Sequence, residues 1–104
     1  LSARVGSIGD NRLGGWYSYR ASKAALNQIV RTAAIELRRS RPEAVCVALH
    51  PGTVDTPLSA HFAKPGLEIQ SPDTAANRIV AVLDALTSAS SGEFFDQRGR
   101  PIAW

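Results

Sequence analysis

The sequence predicts an α/β chain built on a parallel sheet, and three features carry that expectation. From about Tyr17 to Ser40, Leu26, Ile29, Val30, Ala33 and Leu37 recur at helical spacing while Gln28, Arg31 and Arg38 lie mostly off the stripe. This helix leads directly into Ala44-Val45-Cys46-Val47-Ala48-Leu49, a continuous apolar run of the kind that forms strands covered on both faces of a parallel sheet. The run ends in His50-Pro51-Gly52-Thr53-Val54-Asp55-Thr56-Pro57, a turn-forming segment at the edge where open α/β sheets bind ligands.

The other elements follow in order. Ser2 to Ile8 reads as the tail of a strand entering a loop, and because the chain opens on Leu1 rather than methionine it is expected to be a piece of a longer protein. Residues 9–16 are turn-rich and should form an exposed loop. Pro42 ends the long helix. Residues 58–70, with Pro65-Gly66 and no clear period, predict a mobile loop or a short helix. Ser71-Pro72-Asp73-Thr74 then supplies a capping hydroxyl, a proline at the first helical position and an acid in the first turn. Ala75, Ile79, Val82, Leu83 and Leu86 are the expected buried stripe of that helix, and Ser88 to Gly92 its end. Glu93-Phe94-Phe95-Asp96 is a short last strand, after which Trp104 is expected to tuck against the body. No internal repeats are present.

With 104 residues, 44% hydrophobic and 20% charged, the chain is globular material for one small domain with a single core. No apolar run reaches the ~20 residues of a spanning helix, and a cytoplasmic location is the default expectation. The net charge of +3 comes largely from scattered arginines, including Arg38, Arg39 and Arg41 at a helix end, where cations suit the dipole; a nucleic-acid partner is not expected. Cys46 lies in the apolar run and reads as a small core residue, and His50 and His61 lack partners at ligand spacing, so no metal site is expected.

The chemistry concentrates in Tyr17-Ser18-Tyr19-Arg20-Ala21-Ser22-Lys23-Ala24-Ala25-Leu26-Asn27. Tyr19 and Lys23 are four apart in a segment of good helix formers, so both side chains share a face. A phenol with a pKa near ~10 is a poor acid or base at neutral pH, but a cation held at ~4 Å with an effective dielectric of ~20 favours the phenolate by about 4 kcal/mol before desolvation. Tyr19 is thereby a candidate general acid/base, and the small residues around it leave room for something flat.

Tyr19-Arg20-Ala21-Ser22-Lys23 resembles the active-site helix of the short-chain dehydrogenase/reductase family, and the run through Gly6-Ser7-Ile8 and Gly14-Gly15-Trp16 is similar to its C-factor-like and sniffer-type carbonyl reductase branch. The resemblance covers the whole chain and implies the carboxyl-terminal part of a single doubly wound, Rossmann-type domain. It implies that Tyr19 exchanges a proton with a carbonyl or alcohol substrate while NAD or NADP carries the hydride, and that Lys23 assists Tyr19 and holds the nicotinamide ribose. Pro51, Gly52, Val54 and Thr56 match the residues that meet the cofactor there. The helix bearing Tyr and Lys often lies at the family's dimer interface, so a homodimer is compatible.

The sequence departs from the family pattern in two places. The usual serine, thirteen residues before the tyrosine, falls on Gly6; Ser7 is the nearest hydroxyl and is taken as the third catalytic residue, with Ser2 as the competitor, because aligning the strand ends puts the serine position at Ala3. No Gly-rich turn after a strand occurs among these residues, so the amino-terminal half of the cofactor site is not here and the 104 residues alone are expected to be inactive. Two alternatives stand beside the reductase: a non-catalytic signalling or scaffold protein of the C-factor type, and an extended-type epimerase or dehydratase.

Overall fold

The computed structural model describes residues 1–62 and 65–104. Its longest element is helix α1, Tyr17–Ser40, as the sequence predicts. The helix starts sharply because Gly14, Gly15 and Trp16 all take left-handed backbone angles, a conformation that glycine adopts without cost and tryptophan does not. Arg20 steadies the start: Nε donates to the Gly15 carbonyl, Nη2 to Gly14 and Nη1 to Val5. Its guanidinium also lies over the Trp16 ring, 5.9 Å from the centroid.

The inward face of α1 differs from the expected stripe. Asn27 and Ala34 are buried and Leu26, Val30, Ala33 and Leu37 half-buried, but Ile29 is exposed. Counting inward from Lys23 and Ala24 through Asn27, Val30, Ala34 and Leu37 gives steps of three and four, and Ile29 falls outside that arc. A polar residue thus occupies a core position.

After α1 comes strand β1, Ala48–His50, shorter and later than the apolar run. It pairs in parallel with β4, Phe94–Asp96, in the register Ala48 to Phe94 and His50 to Asp96. Ala48 and Leu49 are both buried, so this part is covered on both faces, while Val45 is exposed. The ladder starts late because residues 88–90 form a 3-10 turn and Gly92 has φ of 89°; before that only Cys46 is engaged, its carbonyl accepting from Gly92 N at 2.8 Å. On the other edge of β1, Ser2 N donates to the Leu49 carbonyl at 2.8 Å, so the extended Ser2–Ala3 segment lies alongside before turning at Arg4–Gly6.

A second small parallel pair joins β2, Thr53–Val54, to β3, Ile69–Gln70, which the sequence did not suggest. Between them lies a 3-10 turn at Ser59–Phe62; the expectation of a loop or short helix over 58–70 also takes in residues 63–64, which lie outside the described residues. Helix α2, Pro72–Ala85, begins where predicted, with Ser71 Oγ accepting from Thr74 N at 3.2 Å. Ala75 and Val82 are its buried residues; Leu83, expected in the stripe, is exposed.

Among the described residues Ala48, Phe94 and Ile102 form a buried hydrophobic cluster, with Val30 and Trp104 packed against it. Trp104 is tucked in as expected, its ring stacked on Phe94 with centroids 5.6 Å apart. The chain after β4 folds back and pairs antiparallel with it, Ile102 N donating to the Phe94 carbonyl and Asp96 N to the Arg100 carbonyl. Strand β4 is therefore covered on both edges.

Candidate active site

Tyr19 and Lys23 sit at the start of α1 on one side, with Lys23 Nζ 5.8 Å from the centre of the Tyr19 ring. Tyr19 is 42% exposed and Lys23 half-buried, which leaves the phenol reachable while its cation is partly withdrawn from water. Ser22 Oγ donates to the Tyr19 carbonyl at 2.8 Å, a local bond within the helix.

The turn at Arg4–Gly6 connects this pair to the sheet. Gly6 lies so close to the helix that a Cβ there would stand 2.7 Å from Lys23 Cβ. Two residues earlier, Arg4 reaches the end of β4, Nη2 donating to Asp96 Oδ2 at 3.3 Å, while its Nη1 pairs with Asp10 at 3.1 Å. Asp96 faces His50 in the strand register, and His50 leads into Pro51-Gly52. The Tyr/Lys pair and the Pro51-Gly52 turn are thus tied to the same carboxyl edge of the β1/β4 pair, where parallel sheets receive ligands.

Two titrating groups mark that edge. His50 is lowered to about 4, chiefly by burial and then by the Arg4 charge, with Asp96 pulling the other way. Burial opposes the charged form of Asp96, but the N–H groups of Arg100 and Arg98 and the Arg100 guanidinium outweigh it and hold its carboxyl below the ordinary aspartate value. Those donors are 3.0, 2.9 and 3.0 Å from the carboxylate oxygens.

The cofactor-matching residues form one stretch of backbone. Gly52 has φ of 80°, a backbone conformation that strains any residue with a side chain, and the Gln70 and Gln97 amides lie over it, 2.5 Å and 3.1 Å from where a Cβ would stand. The Val54 carbonyl accepts from Ser59 Oγ, Thr56 N donates to Ser59 Oγ at 3.0 Å, and Thr56 Oγ1 accepts from Ser59 N at 3.3 Å.

The two serine candidates are held elsewhere. Ser7 is 1% exposed; its Oγ donates to the Ala103 carbonyl and accepts from Asp10 N at 3.0 Å. Ser2 Oγ donates to Asn27 Oδ1 at 2.6 Å, and both residues are buried. Ala3, at the serine position by strand-end alignment, carries no hydroxyl. Sequence reasoning missed Gln70, Arg20 and Asp96, whose roles depend on contacts between distant segments; only the Gly52 turn, which needs something packed against it, gave a signal.

No protein-family model matches the sequence. The chain is 40% identical over 105 residues to the C-signal protein of Myxococcus xanthus, covering all of this chain and 58% of that one. Its fold matches the carbonyl reductase Sniffer of D. melanogaster with a TM-score of 0.86 and 36% identity, over 100% of this chain and 39% of that one. It likewise matches the NADPH-bound carbonyl reductase from chicken fatty liver with a TM-score of 0.85 and 35% identity, over 99% and 40%. The chain spans about half the length of the curated relatives it matches. The fold, a parallel α/β sheet with the Tyr/Lys helix at its carboxyl edge, is thus similar to that of these carbonyl reductases, and the chain's sequence relatives include short-chain dehydrogenases. Its similarity is to the C-signal protein and the sniffer-type carbonyl reductases, as the counterpart of the carboxyl-terminal part of their Rossmann-type sheet.

Proposed function

We propose that the protein containing this chain is a cytoplasmic NADP(H)-dependent oxidoreductase that interconverts a small carbonyl compound and its alcohol, with residues 1–104 as the carboxyl-terminal part of its single domain. The observation that carries this reading is Lys23 Nζ stacked 5.8 Å from the Tyr19 ring centre at the start of α1. NADP(H) is favoured because the chicken reductase, similar over nearly the whole chain, is NADPH-bound.

Tyr19 gives its Oη proton to the carbonyl oxygen in reduction and takes it back in oxidation, and Lys23 stabilises the phenolate between these events. Lys23 also holds the nicotinamide ribose, and the backbone of Pro51, Gly52 and Val54 with Thr56 Oγ1 lines the nicotinamide end. That turn fits the group: Gly52 keeps its surface free of a side chain, and Thr56 Oγ1 is both donor and acceptor. A bound reduced nicotinamide supplies the hydride. Ser7 is the hydroxyl nearest the family spacing; to serve the substrate oxygen it must release the Ala103 carbonyl. The 104 residues on their own are inactive.

The second reading, a non-catalytic signalling role, draws on the C-signal relative and on the internal bonds that occupy the Ser2 and Ser7 hydroxyls. Turnover separates the two. The complete gene product should oxidise NADPH in the presence of a panel of small aldehydes and ketones, and Tyr19→Phe should slow this by about 10²- to 10⁴-fold with cofactor affinity within about threefold of wild type. Ser7→Ala should lose more turnover than Ser2→Ala. Tyr19→Phe turning over at the wild-type rate would remove Tyr19 as the proton donor, and cofactor binding without any turnover would favour the signalling role.

A further inference from the structure

Gln70 ends strand β3 and is 7% exposed, although Ile69 before it and Ser71 after it are exposed. Both ends of its amide are used, in opposite senses. Nε2 donates to the Pro51 carbonyl, and Oε1 accepts from Arg78 Nη1 at 2.8 Å. Its backbone carbonyl accepts from Asp55 N at 2.9 Å, so one residue grips both the start and the later part of the 51–56 segment. The amide also packs directly on Gly52, where an added Cβ would stand 2.5 Å from Nε2.

From Gln70 the network runs outward. Arg78, on α2, also pairs with Glu68 Oε1 at 3.1 Å, and Glu68 Oε2 accepts from Arg98 Nη2 at 2.8 Å. Glu68, helix α2 and the turn after β4 are therefore joined to the Pro51 carbonyl through the Gln70 side chain. A hydrogen-bond donor is required at Nε2 and an acceptor at Oε1, a polarity that glutamine has and glutamate does not.

We propose that Gln70 is a positioning residue for the Pro51–Thr56 turn, fixing the backbone that meets the nicotinamide end of the cofactor and coupling it through Arg78 to Glu68. This rests on the oxidoreductase reading given above. Gln70 touches neither cofactor nor substrate in this assignment. It holds the Pro51 carbonyl and fills the space over Gly52, so the turn cannot rotate its peptide planes without breaking this partly buried bond.

The test uses the complete gene product. Gln70→Glu keeps the shape and turns the Arg78 contact into an ion pair, but it sets a carboxylate oxygen against the Pro51 carbonyl. It should raise the Kd for NADPH about tenfold, the scale of one buried hydrogen bond, and raise the KM for NADPH with it, while the KM for the carbonyl substrate changes less. Arg78→Met, which leaves Gln70 in place but removes its acceptor-side anchor, should shift the same constants in the same direction by a smaller factor, and it reads the coupling even where Gln70→Glu fails to fold. Wild-type cofactor affinity in both variants, with or without a lowered melting temperature, would overturn the positioning role and leave the oxidoreductase reading intact provided Tyr19→Phe slows turnover by orders of magnitude. Failure of the unmodified protein to bind NADPH or NADH would overturn the oxidoreductase reading, and this inference with it.

Discussion

Ser7 donates its hydroxyl proton to the carbonyl of Ala103, 96 residues further along the chain. Gly9 N reinforces the junction by donating to the Trp104 carbonyl at 2.9 Å. The loop that follows the Arg4–Gly6 turn is thereby fastened to the segment that covers β4, and Trp104 is held on Phe94. Ser7→Ala leaves the Ala103 carbonyl and Asp10 N without this partner, and the expected loss is about 1–3 kcal/mol of unfolding free energy. Urea unfolding of the complete protein reads it directly; a change within about 0.5 kcal/mol would mean that the junction carries no weight.

Gly6 makes a sharper test of how the Tyr/Lys helix is seated. An added methyl would stand 2.7 Å from Lys23 Cβ and 2.8 Å from the Lys23 carbonyl carbon, both on a rigid helix rather than at the tip of a flexible chain. Gly6→Ala has to push α1 away from the turn, at about 1–3 kcal/mol, and Lys23 moves with it. Stability and turnover should fall together, whereas Gly14→Ala, where nothing lies within 4 Å, should show only the cost of its left-handed backbone. Gly6→Ala with unchanged melting temperature and rate would refute the close seating.

His50 gives a pH dependence whose sign follows from its environment. Burial and the Arg4 charge lower its pKa from 6.5 to about 4, with Asp96 opposing. The unfolded chain therefore takes up this proton at higher pH than the folded one, and stability is fully present above about 6.5 and declines as pH falls towards 4. Allowing for partial exposure, the scale is on the order of 2 kcal/mol. Asp96, held below its ordinary value, adds a further loss only at more acid pH. Urea midpoints at pH 7 and pH 4.5 should differ in the wild type and differ less in His50→Gln; equal differences in both would exclude His50 as the source.

The pieces legible in the sequence were those that depend on local pattern. The helix over Tyr17–Ser40 and the capped start at Ser71-Pro72 follow from periodicity and from first-turn chemistry, and both are as expected. The inward face of α1 was misjudged because Asn27 looks like a surface residue; its burial depends on Ser2, 25 positions away, which donates to it. Strand β1 is shorter than its apolar run because its partner starts only at Phe94, a limit set by the turn before β4 and invisible within Ala44–Leu49. The β2/β3 pair was missed because two-residue strands have no period to read. At the site, the Tyr19/Lys23 spacing announced itself, while Gln70 and Asp96 act through partners on other elements and look ordinary in sequence.

The 104 residues expressed alone should neither bind NADPH nor turn over substrate. In the proposed assignment Tyr19, Lys23 and the Pro51–Thr56 turn would contact the nicotinamide end only, and these residues include no Gly-rich turn that could cradle the pyrophosphate at a helix start. The protection of the sheet is uneven. The far edge of β4 is covered by the chain's own return through Arg100 to Ile102, but among the described residues the other edge of β1 receives one backbone bond, from Ser2 N to the Leu49 carbonyl. Ile29 and Ile35 on α1 and Val80 and Leu83 on α2 are exposed, whereas most of the buried hydrophobic residues described are small, with Phe94 the largest. A shallow thermal transition with concentration-dependent light scattering is expected, and calorimetric titration with NADPH should give no heat of binding. A cooperative melt together with micromolar affinity, on the order of −8 kcal/mol, would show instead that the turn, the Tyr/Lys helix and this small core suffice as a working unit.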